Sequence, residues 1–343
     1  MKRAVCLALA ATALLAQQAD KNGQSGNPSQ PTIQTQVPLV LVPATVTDQK
    51  GKPIDGLTVD DFVVTDEGVR QTISLDTSDT VLAPVALVVA VQASGISEPV
   101  LAKVRQVGGM IHPLITGQRG QTALLAYDSE VRVLESFTTN SDDIRMSFGG
   151  IEARTPKSAV LTDAVAQGVR MLATRPENYR KILVIVGESR DRGSKTKLKA
   201  VVEAAQHAGV IVYPLTYSTQ AVAWTARPED NPPLPGGMDL GGAFVELSRL
   251  TSPNAADDLA ATTGGRHLSF ATLKGLEDAL SVTGQEIHSQ YLLSFAPISP
   301  GHNGLAPVPS MPGAHPGYHR LSVKVISRPD AVVRARPGYW PAD

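Results

Sequence analysis

Residues 83–95 are APVALVVAVQASG, and the run from Val85 to Val91 is apolar without any alternation. Such a run is typical of a strand that is covered on both faces, as in a parallel sheet. Two later segments have the same character: KILVIVG at 181–187 and VIVYPLTY at 210–217. The sequence therefore predicts several buried parallel strands.

The segments between these runs have helical periodicity. Apolar residues recur at helical spacing in four groups: Val100, Val104, Val107 and Ile111; Leu161, Val165, Val169 and Leu172; Leu198, Val201, Val202 and Ala205; and Leu273, Leu276, Leu280 and Ile287. Ser97 is expected to cap the first helix, which should break near Pro113. TALLAYDS and VRVLESF predict two neighbouring strands. Alternating strands and helices predict an α/β fold with a doubly wound, mostly parallel sheet.

Both ends of the chain have a different, alternating pattern. VPLVLVPATVTDQKGKPIDGL and DFVVTDEGVRQTISLD precede the α/β segment, and QYLLSFAP, YHRLSVKVI and VVRARPGYW follow it. Neither group is large enough to form a stable sheet alone. We therefore expect residues 37–82 plus 290–343 to form a smaller, discontinuous β-rich companion domain, with residues 83–289 inserted as the α/β domain.

The first residues predict export. Lys2 and Arg3 precede an apolar run that ends near Ala16, so residues 1–18 are interpreted as a signal peptide and 19–36 as a disordered linker. The alternative is an uncleaved anchor helix. Cleavage would remove Cys6, the one cysteine, and leave a periplasmic or extracellular chain without a transmembrane segment, disulfides or cysteine ligands.

Composition excludes some classes of function. The chain has 31 Lys and Arg residues against 32 Asp and Glu residues, which gives no long-range field toward nucleic acid. No P-loop or G-x-G-x-x-G motif follows a predicted strand, so nucleotide binding has no support. We predict no nucleic-acid partner.

Several segments together resemble a known family: VPATVTDQKGKPIDGLTVDDF, PVALVVAVQASG, TALLAYDSEVRVLESFT, AVLTDAV, RKILVIVGESRDRGS, AATTGGRHLSF, IHSQYLLSF and VRARPGYW. In this order they are similar to the bacterial, acidobacterial-type family of von Willebrand factor A-related proteins, over about Val37 to Trp340. The resemblance implies a von Willebrand factor A-like (VWFA), Rossmann-like doubly wound sheet. It also implies that partners bind at the carboxyl ends of the strands, as is general for open α/β sheets.

The resemblance further implies a metal-ion-dependent adhesion site (MIDAS), in which a D-x-S-x-S loop, a Thr and an Asp hold magnesium. The first loop here has Gln92 for the carboxylate, Ser94 unchanged, and Ile96 for the second hydroxyl. Ala159 stands at the Thr position, and Glu188 stands at the Asp position. Magnesium needs hard oxygen ligands in near-ideal octahedral geometry, so we expect a degenerate, vestigial site and no bound cofactor.

Two alternatives remain for this metal site. Ser158 supplies a hydroxyl in the second loop if the alignment shifts by one residue. A rearranged site could also hold magnesium through Ser94 with Glu188 or Asp191.

Catalysis has little support in the sequence. The residues around Ser94 do not form G-x-S-x-G, and no histidine is placed by sequence to activate it. His315 and His319 share a Pro-rich and Gly-rich loop but lack a third ligand for zinc. We predict that the chain is not an enzyme.

An irregular insertion at residues 218–242 is expected on the rim of the sheet. It contains Trp224, Arg227 and Met238, residue types that are frequent in binding hot spots, although it could equally be a silent loop. Three hypotheses follow: a protein-binding or adhesive module that meets an unknown protein partner at the strand-rim loops, a structural scaffold of an envelope complex, and an enzyme, which the residues disfavour.

Overall fold

A computed structural model describes residues 39–76, 83–154, 158–217, 254–297 and 317–340. The predicted signal peptide at 1–18, the linker at 19–36 and the insertion at 218–242 lie outside the described residues, as does His315. None of the helices in the described ranges combines the length and the apolar character needed to cross a membrane.

The described strands are β1 (Val40–Thr47), β2 (Phe62–Asp66), β3 (Val69–Arg70), β4 (Ile73–Asp76), β5 (Val85–Gln92), β6 (Gln121–Tyr127), β7 (Val131–Thr138), β8 (Arg180–Gly187), β9 (Val210–Tyr217), β10 (Leu268–Phe270), β11 (Tyr291–Phe295), β12 (His319–Val325), β13 (Val332–Ala335) and β14 (Gly338–Tyr339). The described α-helices are α1 (Glu98–Ile111), α2 (Ser141–Gly149), α3 (Leu161–Ala173), α4 (Leu198–His207), α5 (Ala255–Thr263) and α6 (Leu273–His288).

The largest sheet has six strands in the order β10-β9-β8-β5-β6-β7. All neighbours pair in parallel except β7, which runs antiparallel to β6 at one edge. Every residue of β5 is buried, which explains its uninterrupted apolar sequence.

Each face of this sheet carries its own apolar core. Helices α1, α2 and α6 pack on one face, where Val104, Phe148 and Leu280 are buried. Helices α3, α4 and α5 pack on the other face, where Val165 and Val201 are buried. The predicted α/β class with a doubly wound, mostly parallel sheet is therefore confirmed.

Strands from both ends of the chain share two further antiparallel sheets. Their orders are β13-β1-β11-β4 and β14-β12-β2-β3, so β1 pairs with β11 and β2 pairs with β12. One core joins the two sheets and includes Val42, Phe62, Leu293 and Phe295. Because the described residues from Leu39 onward belong to one compact unit, the division at 37–82 plus 290–343 stays a prediction.

Four local features confirm the expectations, differ from them or add to them. Helix α5 was not predicted, because its Ala-rich and Thr-rich sequence gives only a weak apolar stripe. Helix α2 carries Asp142 and Asp143 in its first turn, where these two acidic residues predict the start of a short helix. The segment VVRARPGYW forms two strands, β13 and β14, that enter different sheets. At Pro113 the chain continues as a π-helical turn, His112–Thr116, which Gly117 ends with a positive φ of 60°.

Candidate functional site

The candidate site lies where the parallel strands of the six-stranded sheet end. We call the loops 93–97, 128–130, 158–160 and 188–197 the rim, since they follow β5, β6 and β8 or lead into α3. Parallel strands place their carboxyl ends at one edge of a sheet, so residues distant in sequence meet there. The rim carries the residues at which the sequence predicted a degenerate metal site.

Gln92 connects the first and third loops through its side-chain amide. Its Nε2 donates to Ser94 Oγ at 2.9 Å and to Glu188 Oε2 at 3.0 Å. Its Oε1 accepts the backbone N–H of Glu188 at 2.8 Å. That N–H needs an acceptor, which fixes the orientation of the amide and directs its two hydrogens toward Ser94 and the carboxylate. Gln92 therefore presents donors where the resembled family presents a carboxylate.

Arg192 supplies the positive charge of the site. Its guanidinium forms an ion pair with the same Oε2 atom of Glu188 that receives the Gln92 amide. Glu188 is only 9% exposed, and a buried carboxylate needs such a partner. A cation that used Oε2 of Glu188 as a ligand would compete with this guanidinium and with the Gln92 amide.

A chain of hydroxyl groups continues from Ser94 into the interior. Ser94 Oγ lies 3.0 Å from Ser97 Oγ, and the hydroxyl of Tyr217 donates to Ser97 Oγ at 2.8 Å. All three side chains are buried, and burial raises the pKa of Tyr217. We call Gln92, Ser94, Ser97, Glu188, Arg192 and Tyr217 the rim network.

The predicted capping role of Ser97 is wrong in its side-chain detail. Ser97 precedes α1 as expected, but its side chain makes no capping hydrogen bond. Its backbone has φ −89° and ψ −8°, whereas a capping side chain usually projects from extended backbone. The hydroxyl joins the rim network instead.

The second loop brings backbone rather than a hydroxyl ligand to the rim. Ala159 is fully buried and exchanges two backbone hydrogen bonds with Arg192, at 3.0 Å and 2.8 Å. Ser158 is half-buried beside it and makes no described hydrogen bond with Gln92 or Ser94. Ile96 lies in the 3-10 helix Gly95–Ser97.

Two carboxylates fasten the third loop to the start of α3. Asp191 Oδ1 accepts the backbone N–H of Thr162 at 2.9 Å and also contacts the hydroxyl of Ser194. Asp163 accepts the backbone N–H groups of Lys195 at 3.0 Å and Thr196 at 2.9 Å. Burial acts to raise the pKa of Asp163, but the hydrogen bonds from Thr196 and Lys195 outweigh it and lower the pKa. Asp191 thus stabilises the third loop and makes no described hydrogen bond to the rim network.

These residues do not fit a divalent cation. The described residues contain no group of three or more His, Cys, Asp or Glu side chains that could hold a metal ion. Ser94 Oγ and Glu188 Oε2 each accept a hydrogen bond from Gln92, and Oε2 also pairs with Arg192, so positively polarised donors already surround the oxygens that magnesium would need. Magnesium needs several hard oxygen ligands in octahedral arrangement, which this donor set does not offer.

Sequence reasoning did not identify Arg192 or Tyr217 as members of the site. Arg192 follows Glu188 by four residues, and this spacing of opposite charges was a usable signal. Tyr217 ends β9, so the rule that strand ends meet at one edge would have placed it at the rim.

One further group of polar side chains connects β9, α5 and the residue that precedes β10. His267 contacts Thr216 Oγ1 through Nε2 at 2.6 Å and pairs with Asp257 through Nδ1. The order of groups is that of an acid, a base and a hydroxyl nucleophile. Thr216 is only 5% exposed, and neither described cavity includes it. We interpret the three residues as a link between α5 and the sheet.

No protein-family model and no curated protein matches the chain. Similar solved structures include BatB from Bacteroides thetaiotaomicron, a conserved hypothetical protein, with 13% identity over 59% of this chain and 97% of that chain and a TM-score of 0.43. An aerotolerance-related membrane protein from Bacteroides fragilis has 14% identity over 59% of this chain and 98% of that chain, with a TM-score of 0.43. A von Willebrand factor type A protein from Catenulispora acidiphila has 12% identity over 72% of this chain and 50% of that chain, with a TM-score of 0.44.

With identities of 14% or less and TM-scores below 0.5, these similarities carry no argument about what the chain binds or does. The fold class rests on the strand order and on the two cores described above. The narrower resemblance to the acidobacterial-type family stays a prediction.

Proposed function

We propose that the chain is an exported, non-catalytic binding module whose rim contacts a protein partner without a bound metal ion. The observation that supports this proposal best is the double engagement of Glu188 by the Gln92 amide and the Arg192 guanidinium. The two side chains give the carboxylate the donors and the charge that a cation would otherwise supply.

The surface of the rim offers polar groups for such a contact. Glu130 and Arg154 form an ion pair at 2.7 Å, and their side chains are 62% and 47% exposed. Arg154 also donates its backbone N–H to Ala93, beside the rim network. Charged groups of a partner could pair with Glu130 and Arg154 in place of this ion pair. Such charge complementarity determines the specificity and the association rate of a complex.

The absence of catalysis is part of the proposal. Ser94 Oγ bonds to Gln92 and Ser97, neither of which can act as a general base at neutral pH. Thr216 has a histidine neighbour but lies buried in the sheet. A fluorophosphonate probe that labels activated hydroxyl nucleophiles should leave the folded protein unmodified. Labelling that disappears in His267→Ala would contradict this part of the proposal.

Export is proposed from the charged and apolar start of the sequence. Fractionation of the native host should recover a mature form that lacks Cys6 outside the cytoplasm. Recovery of a cytoplasmic chain that still begins at Met1 would contradict export.

Thermal melting tests metal independence directly. A ligand that binds only the folded state raises the melting temperature, because it stabilises by RT ln(1 + [L]/Kd), about 2.7 kcal/mol at a hundredfold excess over Kd. We expect the same melting temperature in millimolar magnesium and in a chelator. A magnesium-dependent rise that Glu188→Gln abolishes would return the metal-dependent alternative to first place.

Capture of the partner tests the location of the contact. The full chain, immobilised on a resin in a buffer that contains a chelator, should retain an envelope protein. The Arg154→Glu variant should not retain this protein, because it replaces the cation of the ion pair by a second carboxylate beside Glu130. Arg328→Glu is the matched control, since Arg328 is also exposed beside an acid, Asp330, but lies between β12 and β13. Equal retention by Arg154→Glu and the unmutated chain, or retention only with magnesium, would reject the proposed contact.

A further inference from the structure

A partly open cavity of about 360 Å³ lies near the amino ends of β8 and β9, at the opposite ends of these strands from the rim. Apolar side chains of β1 and β11, among them Val40 and Leu292, form part of its wall. Trp340, beyond β14, forms another part. A volume of several hundred Å³ with a largely apolar wall is typical of a site for a small organic molecule.

The charged groups of the cavity are mostly positive. Arg180, Lys181 and Arg336 line it, and Glu177 is the one acidic residue among the described lining residues. The cavity therefore attracts anions.

The two guanidinium groups lack an anionic partner within the described part of the chain. Arg336 donates to the carbonyl oxygen of Leu41 at 2.6 Å, and Arg180 donates to the carbonyl oxygen of Ile287. Neither belongs to a described ion pair. Both arginines are half-buried with a buried Nε atom, and a neutral carbonyl compensates only part of the hydration that such a guanidinium loses.

Three buried N–H donors of the lining residues have no acceptor among the described residues. They are Nε of Arg180, Nε of Arg336 and Nε1 of Trp340. Buried donors in folded proteins nearly always have a partner. Arg132 Nε and Arg334 Nε, outside the cavity, also lack an acceptor, but the guanidinium groups of those two residues form ion pairs, which Arg180 and Arg336 do not do among the described residues.

Burial has the electrostatic effect expected for unpaired cations. It lowers the pKa of Arg180 and lowers the pKa of Arg336 to about 10. Both groups still carry their charge at neutral pH, and a bound anion would stabilise that charge.

The aromatic part of the wall is held in place by its neighbours. The Trp340 ring stacks on His207 with centroids 5.3 Å apart and planes at 18°, and Tyr318 lies against it at 5.3 Å. This arrangement fixes the indole whose N–H lacks a partner, and it gives a flat apolar body a surface to contact.

We propose that this cavity binds a small organic anion, an apolar body that carries one carboxylate, with Arg180, Arg336 and the Trp340 N–H as donors to the carboxylate and the Trp340 ring against the apolar part. Arginine suits this role because its planar N–H groups match the geometry of a carboxylate.

Benzoate and its neutral counterpart benzyl alcohol test the proposal on the full-length protein. Calorimetric titration at neutral pH should detect benzoate with a millimolar or lower Kd, and benzyl alcohol should bind at least tenfold more weakly. The absence of benzoate binding at 10 mM, or equal affinities for the two molecules, would overturn the proposal.

Substitutions locate the binding. Arg336→Met and Arg180→Met should each raise the Kd for benzoate at least tenfold, whereas Arg328→Met removes an exposed cation and should leave the Kd unchanged. Trp340→Phe retains a ring but removes the N–H, so it should raise the Kd by a smaller factor even if an arginine variant folds poorly. Unchanged benzoate affinity in all three cavity variants would place the anion elsewhere and overturn the assignment.

Discussion

Gln92 shows how one amide changes the electrostatics of a loop cluster. Its Nε2 donates to two oxygens and its Oε1 accepts a backbone N–H, so each polar atom of the buried side chain has a partner. A carboxylate in the same place would turn the hydrogen bond to Glu188 into a contact between two acceptors, whereas the Ser94 hydroxyl can rotate and donate to it. The amide is therefore matched to Glu188 in its ionised form.

Gln92→Glu tests this matching with almost no change of shape. At neutral pH the variant places a second carboxylate beside Glu188, and we expect a loss of about 1–3 kcal/mol in the free energy of unfolding. Two adjacent carboxylates raise the pKa of one of them above its unfolded value, so the loss should shrink as pH falls through that raised pKa. Urea unfolding at several pH values measures both effects.

The control for that variant is Gln106→Glu, on the exposed face of α1. Its free energy of unfolding should stay within about 0.5 kcal/mol of the unmutated protein at each pH. A Gln92→Glu protein with the same stability as this control would show that the amide does not hold the rim together.

Tyr127 and Tyr217 are two buried tyrosines that differ in their hydrogen bonds. The Tyr217 hydroxyl donates to Ser97, whereas the Tyr127 hydroxyl has no partner among the described residues, and burial raises the pKa of Tyr127. We expect Tyr217→Phe to destabilise the protein by about 1 kcal/mol and Tyr127→Phe to stabilise it by a similar amount. Urea unfolding of both variants and of the unmutated protein measures these changes. A loss of stability in Tyr127→Phe would show that the Tyr127 hydroxyl has a partner.

Helix α6 depends on a glycine for its position on the sheet. A Cβ at Gly284 would clash with the backbone carbonyl oxygen of Leu114, in the turn that follows α1. A backbone atom cannot rotate away as a flexible side chain can, so the helix itself would have to shift. The small residue therefore sets the distance between α6 and this turn.

Gly284→Ala should consequently lower the free energy of unfolding by about 1–3 kcal/mol, in spite of the better helix propensity of alanine. Gly149→Ala is the matched control, because Gly149 ends α2 with no atom within 4 Å of the added methyl group. The control should be neutral or stabilising by up to about 1 kcal/mol. Thermal or urea unfolding of both variants measures the difference, and equal effects would contradict the close contact.

Strands from both ends of the chain share the two antiparallel sheets, and polar side chains connect these sheets to the α/β part. Arg334 of β13 pairs with Glu286 of α6 at 2.5 Å, and Glu286 is also held by Arg266 of the α/β part at 2.7 Å. Gln290 donates to the hydroxyl of Tyr213 on β9 at 3.1 Å. Loss of either chain end should therefore affect the other.

A chain that stops after His288 lacks β11 to β14 and tests this dependence. Strands β1 and β2 would lose their partners β11 and β12 and expose the core around Val42 and Phe62. We expect residues 39–76 to become sensitive to protease, because unpaired edges and apolar faces do not persist in water. A chain that stops after Trp340 keeps every described strand and should stay resistant. Resistance of 39–76 in the shorter chain would argue against shared sheets.

Patterns along the sequence determined the six-stranded sheet and most of its helices. Uninterrupted apolar runs such as 85–91 occur where both faces of a strand are covered, and helical spacing of apolar residues occurs where one face of a helix packs. Both are local consequences of burial, so the sequence carries them directly. Helix α5 was missed because its Ala-rich stripe is too weak to stand out.

The chemistry of the rim and the cavity was decided only by the tertiary structure. The replacement of a carboxylate by Gln92 is visible in the sequence, but its hydrogen bond to Glu188 joins residues 96 positions apart. Likewise, Arg180 and Arg336 come from distant parts of the chain and line one cavity. Such contacts depend on the paths of the loops and on which charges become buried together, and neither follows from periodicity or spacing.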